Sequence, residues 1–232
     1  MYPINYTGQI LQRYALPSTY SVMKDQRGFN DLVYELAQAF EWPWHFNEKA
    51  FMHFPAELIT DYIRRTHRLY LFRKLPEIEQ SIGLLLQDYT DDHPILSILR
   101  DFYTSYKVEL SLHICEEEQH LLPYVDFLVE TQQKGLDPYR FLLQRKRYSL
   151  AEFEQDHHDD HEKSLEEIRE TILLHEPPVT NATPYRILLR QLENFERDLT
   201  VHGLIEDRVL LPRMKMLEEK LQRDFEQIVK NN

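Results

Sequence analysis

The sequence predicts an all-α protein: an antiparallel up-down-up-down four-helix bundle built from a duplicated helical hairpin, with a short N-terminal helical extension. Three observations predict it. Only 5 of the 232 residues are glycine, well below the ordinary share of roughly 7 %, so a fold made of many tight β-turns is not expected. Apolar residues recur at helical spacing through four long stretches. And one pattern, H-x3-E-x3-L-L-P, occurs twice, 89 positions apart.

The elements follow in order. Residues 1–54 are aromatic and irregular, with one short amphipathic helix from about Asn30 to Phe40 that ends at Glu41-Trp42-Pro43-Trp44. Residues 55–228 form the bundle. Its helix A opens at Pro55, a good first-turn residue, and runs to about Tyr89, with a kink expected at Pro76. The turn Asp91-Asp92-His93-Pro94 leads into helix B, which extends to about Thr131. A connection with Gly135 and Pro138 follows, closing in a solvated basic run, Arg145-Lys146-Arg147. Ser149 and Glu152 form a capping box that opens helix C, which stops before Pro177-Pro178. Thr183 as N-cap and Pro184 at the first helical position open helix D, which continues close to residue 228.

Composition removes several function classes. Net charge is −12, which disfavours generic binding to nucleic acid or to an anionic membrane. No apolar run approaches the ~20 residues that span a bilayer. The N-terminus has neither a basic n-region nor an apolar h-region, and the single cysteine excludes an intrachain disulfide framework. A cytoplasmic protein is expected. No Ser/His/Asp triad, glycine-rich phosphate loop or zinc CxxC pattern is present.

The repeat carries the chemistry. Its copies are His113-x3-Glu117 followed by Leu121-Leu122-Pro123, and His202-x3-Glu206 followed by Leu210-Leu211-Pro212. Each copy falls in the second helix of a hairpin, and each first helix has its own histidine, His67 or His158. Residues i and i+4 share a helix face. In helix B that face runs Tyr106, Leu110, His113, Glu117, Leu121, Tyr124, Leu128. In helix D it runs Leu188, Leu192, Phe195, Leu199, His202, Glu206, Leu210, Met214. Histidine and glutamate therefore interrupt the stripes that should face the core. His67 follows Ile59 and Ile63 on such a stripe, and His158 precedes Leu165, Ile168 and Ile172. A lone carboxylate in a core costs several kcal/mol unless compensated, and no lysine or arginine occupies these stripes near either glutamate. Metal ions compensate best; imidazole with carboxylate suits iron, manganese or zinc, and bundle cores hold such sites.

With those residues in place, the sequence resembles hemerythrin-like (HHE cation-binding) proteins of the repair-of-iron-centres type. The residues that carry the resemblance are Thr66-His67, His93-Pro94, His113-x3-Glu117 with Glu118-Gln119 and Leu121-Leu122-Pro123, His158-Asp159 with Leu165-x2-Ile168-Arg169, and His202-x3-Glu206 with Val209-Leu210-Leu211-Pro212-Arg213, over about residues 56–216. The resemblance implies a non-haem di-iron site of Fe2+ or Fe3+ ions under an oxo or hydroxo bridge. It makes His67, His93, His113, His158 and His202 terminal ligands, and Glu117 and Glu206 bridging carboxylates. Periodicity alone does not select His93. Such a set leaves one position of two six-coordinate ions open. The resemblance implies reaction with nitric oxide, oxygen or peroxide, in iron–sulfur cluster repair or the nitrosative and oxidative stress response, with iron–sulfur proteins as partners. The alternative is a non-enzymatic oxygen- or redox-sensing di-iron module.

Departures and bystanders complete the reading. Family members often carry an N-terminal domain with a cysteine pair, whereas residues 1–54 contain no cysteine. Glu154 and His161 flank His158 at helical spacing, as solvated surface, as partners orienting it or as an extra ligand; His157 points off the stripe. Cys115 is expected as a small buried side chain. The E-x-x-H pairs Glu117–His120 and Glu154–His157 fall on consecutive helices, against the alternate placement of ferritin-like carboxylate sites.

Overall fold

The computed structural model describes residues 6–15, 26–87, 89, 93–135, 137–151, 153, 161–175, 177–178 and 181–231. Among these the chain is all-α, and four long helices make the bundle. Helix A comprises α4 (Ala56–Leu69), a π turn (Tyr70–Lys74) and α5 (Leu75–Leu86). Helix B comprises α6 (Ile95–Glu116), a π turn (Glu117–Leu121) and α7 (Leu122–Lys134). Helix C is described as α9 (His161–Leu173), and helix D as α10 (Thr183–Ile205), a π turn (Glu206–Leu210) and α11 (Leu211–Asn231). Start meets end where helices pair: α5, the end of A, packs on α10, the start of D. No helix among the described residues is long and apolar enough to cross a membrane.

The three π turns have one cause. Each is followed by Leu-Pro: Leu75-Pro76, Leu122-Pro123, Leu211-Pro212. Proline lacks an N–H, and its ring clashes with the carbonyl four residues back. The turn before it widens by one residue, so Leu75 N donates to Tyr70 O, Leu122 N to Glu117 O and Leu211 N to Glu206 O. The helix passes through the proline instead of stopping, and the strain expected as a kink at Pro76 is taken up by the wider turn. The L-L-P of the repeat is thus the widening signal. It sets each repeat glutamate at the first residue of a π turn.

Boundaries differ from expectation at three places. The B–C connection is itself helical, α8 (Pro138–Arg147), capped by Asp137 Oδ1, which accepts from the backbone of Tyr139 and Arg140 at 3.0 and 3.1 Å. The exposed Arg145-Lys146-Arg147 run is the last turn of this helix, where cations meet the negative end of the helix dipole. The N-cap of α10 is Ala182 rather than Thr183; Asn181 Oδ1 accepts the Thr183 N–H at 3.0 Å instead. The N-terminal 54 residues are richer in helix than expected, with α1 (Tyr6–Tyr14), α2 (Gln26–Glu41), a 3-10 turn (Pro43–His45) and α3 (Glu48–Phe51). The Asp91-Asp92 part of the A–B turn and Glu152 of the capping box lie outside the described residues.

Two apolar clusters fill the interior. One holds Ile59 and Ile63 of A, Leu121 to Leu128 of B and Val201 to Met214 of D, together with Ile10, Leu32, Leu36 and Phe40 of the N-terminal helices. The other holds Tyr70 to Leu85 of A, Leu99 to Ile114 of B, Ile168 and Ile172 of C and Leu188 to Leu199 of D. Between them, at one level of the bundle, lies a polar layer.

Candidate metal centre

That layer is built from three helices. His67 comes from the last turn of α4, His113 and Glu117 from the α6–π junction, His202 and Glu206 from the α10–π junction. His67, Glu117, His202 and Glu206 are buried to within 3 % exposure; His113 is partly buried. The stripes read from the sequence therefore do face the core, and the polar residues on them were not misassigned to it.

Their donor atoms converge. His67 Nε2 lies 2.9 Å from Glu117 Oε2 and 3.3 Å from His202 Nε2. His113 Nε2 lies 2.9 Å from the other oxygen, Glu117 Oε1. One carboxylate is thus shared between two imidazoles, one per oxygen. His202 Nε2 is 3.5 Å from Glu206 Oε2. One donor atom from each of His67, Glu117 and His202 falls within 4.8 Å of the others, a grouping able to hold a metal ion.

The protonation states fit a cation. His67 Nδ1 hydrogen-bonds Glu118 Oε1 at 2.8 Å, so both its nitrogens face carboxylates. Burial alone would lower its pKa, but Glu117 and Glu118 raise it to about 9. Burial would push the Glu117 carboxyl up, yet contacts from His113 and His67 hold it well below the usual carboxylate range. His202 is pushed well below the ordinary histidine value, by burial and then by the neighbouring His67 charge. The layer therefore holds one proton on His67 Nε2 at the point where His202 Nε2 presents a lone pair. A cation can replace that proton while Nδ1–H stays bonded to Glu118, which fixes the tautomer and aims Nε2. Buried His202 Nδ1 has no hydrogen-bond partner among the described residues. Two imidazole nitrogens with carboxylate oxygen, closed off from water, match the donor set of a borderline transition metal.

Other sequence-predicted residues fall elsewhere. His158, Glu154 and His157 lie outside the described residues, as does the side chain of His161. His93 is not in the layer. It precedes α6, its ring 4.3 Å from that of Tyr89 and 5.8 Å from that of His175. The helix rises about 1.5 Å per residue, so α6 carries the chain roughly 27 Å from there to His113. The structure does not bring His93 to the layer; it stands at the start of α6, where its Nδ1 accepts the Ile95 N–H at 3.3 Å. Cys115 is exposed, not buried, with its sulfur accepting from Gln119 Nε2 at 3.0 Å. Two residues past His113 is the opposite side of a helix, so the stripe itself turns it outward.

Sequence reasoning missed several neighbours. Glu118 stood in the motif without a role. Tyr148, after α8, has a buried hydroxyl, and burial with the charges of Glu116, Glu117 and Glu206 pushes its pKa up. With His120, Tyr124 and Arg140 it lines a cleft of about 370 Å³ open to solvent. Asp198, one turn before His202, could have been found from the i−4 spacing; nothing in the local pattern marks Arg13, which pairs with it.

Comparison with known proteins gives a consistent picture. The chain is 29 % identical over 180 residues to the iron-sulfur cluster repair protein YtfE of Citrobacter koseri, covering 77 % of this chain and 74 % of that one. It is 24 % identical over 155 residues to the iron-sulfur cluster repair protein ScdA of Staphylococcus haemolyticus, covering 67 % of this chain and 65 %, just under two thirds, of the relative's length. No family model and no solved structure matches. The resemblance to repair proteins of iron centres, drawn from the motifs, is borne out by these relatives, as is the all-α fold by the structure.

Proposed function

We propose that this chain, similar to two proteins of iron–sulfur cluster repair, is a non-haem di-iron protein that acts on small oxidants or on damaged iron–sulfur centres. Residues 55–228 form the iron-holding bundle and residues 1–54 an extension. Histidines 67, 113, 158 and 202 are terminal ligands, with Glu117 and Glu206 bridging. The observation that carries the reading is the buried convergence of His67, Glu117 and His202 from three helices, with Glu117 shared between two imidazoles.

Two iron ions held there would supply a reducible pair able to react with nitric oxide, oxygen or peroxide. The protein's own contributions are separable. Glu118 holds His67 in one tautomer. The two apolar clusters exclude bulk water from either side of the layer. Tyr148 lines the cleft with a buried hydroxyl, and the charges of Glu116, Glu117 and Glu206 reach it and raise its pKa. Repair-named relatives favour this role over reversible oxygen binding.

Metal analysis of protein from iron-replete cells, with an optical spectrum of the oxidised form, tests the reading. The expected result is about two iron per chain with near-ultraviolet charge-transfer bands. A single zinc and no iron would overturn it. A stable spectrum on oxygen exposure that reverses under vacuum would assign the alternative module.

A further inference from the structure

The N-terminal helix reaches the level next to the polar layer with one charged side chain. Arg13 of α1 is fully buried and ion-paired with Asp198 of helix D. Its Nε donates to Thr66 Oγ1 of helix A at 2.8 Å, and a terminal nitrogen donates to Gln9 O at 3.1 Å. The guanidinium lies 5.3 Å from the Phe40 ring centroid and 5.4 Å from that of Tyr62. Asp198 also accepts the Tyr70 hydroxyl at 2.8 Å, and the Tyr70 ring stands edge-on to His202 at 5.7 Å. Thr66 immediately precedes His67, and Asp198 sits one turn before His202. One guanidinium therefore ties A to D within a turn of the two histidines whose nitrogens are 3.3 Å apart.

Stability does not explain this arrangement. A buried ion pair adds little over an apolar pair of the same volume, because both charges must leave water. An aliphatic side chain beside Ile10 would dock α1 as well. It would not hold Thr66 and Asp198 at a set separation, which a planar guanidinium with several fixed donors does. The helix is short: of its nine residues it fully buries Ile10 and Arg13, with Tyr6 and Tyr14 partly buried against the core and Arg65 of helix A over the Tyr14 ring at 4.8 Å. Segments held by few apolar contacts open locally before the whole fold does.

We propose that Arg13 is a positioning residue for the metal centre: docked α1 holds His67 and His202 at chelating separation, and undocking of α1 loosens the iron. The inference rests on the di-iron reading above, and it makes the extension a latch on metal retention. When α1 leaves, Asp198 becomes a buried unpaired charge between Tyr70 and the His202 turn, and the A–D spacing at the layer is no longer fixed.

The test compares wild type with Arg13→Gln and Arg13→Lys, loaded with iron and well below each variant's melting temperature. Loss of iron to excess ferrous chelator should be at least tenfold faster in Arg13→Gln. Arg13→Lys, which keeps the charge but cannot span both acceptors, should fall between. In the metal-free proteins, amide hydrogen exchange over residues 62–70 and 195–205 should rise in Arg13→Gln. A merely structural role lowers the melting temperature and leaves the chelator rate within twofold. That outcome, with unchanged exchange at both segments, overturns the proposal. Should Arg13→Gln fail to fold, Thr66→Val, nearly isosteric and lacking one acceptor, should still release iron several-fold faster, and an unchanged rate there counts against the proposal. If wild type takes up no iron, the di-iron reading fails, and the exchange comparison alone decides whether Arg13 orders the His67–His202 layer.

Discussion

The two copies of the repeat, around His113–Glu117 and His202–Glu206, share a spacing and a backbone shape but not their support. In both, the glutamate opens a π turn and the histidine sits one turn before it. Among the described residues, Glu117 has imidazole nitrogens 2.9 Å from each oxygen, and Glu206 has His202 Nε2 at 3.5 Å. The residue after Glu117 is Glu118, bonded to His67. The second copy is also braced from the turn before it, where Asp198 holds Arg13 and Tyr70. Helical spacing sets where a side chain projects, and the elements packed beside it set how firmly it is held. One duplicated motif can therefore be supported by different neighbours in its two copies.

The largest way to break that comparison is to remove the glutamates. Glu117→Ala strips a carboxylate from two imidazoles and leaves the His67 charge buried, a loss of about 3–5 kcal/mol for such pairs. Metal affinity should fall by two to three orders of magnitude in Glu117→Ala and in Glu206→Ala; equilibrium competition with a chelator measures both, and an unchanged affinity in either would show that its glutamate holds no metal.

Acidity gives the next largest effect. His67 titrates near 9 in the folded protein against 6.5 for a free histidine. Its raised pKa means that the His67–Glu117 pair stabilises the metal-free fold fully below about pH 6.5, and that this contribution is lost as pH rises through about 9. Metal must displace the same proton, so metal affinity moves the other way, rising about tenfold per pH unit up to about 9. Melting curves of stripped and loaded protein between pH 6.5 and 9 should diverge, and parallel curves would contradict the protonated His67.

Glu118 should be worth about 10–100-fold in metal affinity, the usual range for a group that orients a ligand histidine. Isothermal titration of Glu118→Gln against wild type measures it. Glu118→Gln should also move the pH break of the stripped protein below 9, because one of the two groups that raise His67 has lost its charge. The smallest effects belong to residues on neither half. His93→Ala and Cys115→Ser should leave iron content unchanged, and Cys115→Ser should keep the decay rate of the reduced form with nitric oxide or oxygen. A drop in iron for His93→Ala would mean that the A–B turn folds back onto the layer, against the geometry of α6.

Much of the bundle was written locally. An α-helix needs only a 3.6-residue period, so the stripes of B and D, and the histidines and glutamates on them, could be read without knowing what they face. The same holds for His67 beyond Ile59 and Ile63. The repeat even contained the π turns, in the prolines six residues after each glutamate, although Pro76 alone suggests a kink.

What periodicity cannot carry is a distance across the fold. His93 belonged to the right motif and lies at the far end of α6 from His113, because motif order says nothing of rise. That Glu117 sits between two imidazoles depended on helix A bringing His67 against it. Arg13 and Asp198 are 185 positions apart and meet only because α1 packs against helix A. Their pairing leaves no trace in either local sequence, since a buried arginine on a short helix reads like any solvated one. The sequence by itself determined the helices, their inward faces and the residue types at the polar layer, since each depends on neighbours a turn or two away. Tertiary structure alone decided which of those residues share a carboxylate, which are orphaned, and which remote charge braces them, since each depends on how separate helices come to rest against one another.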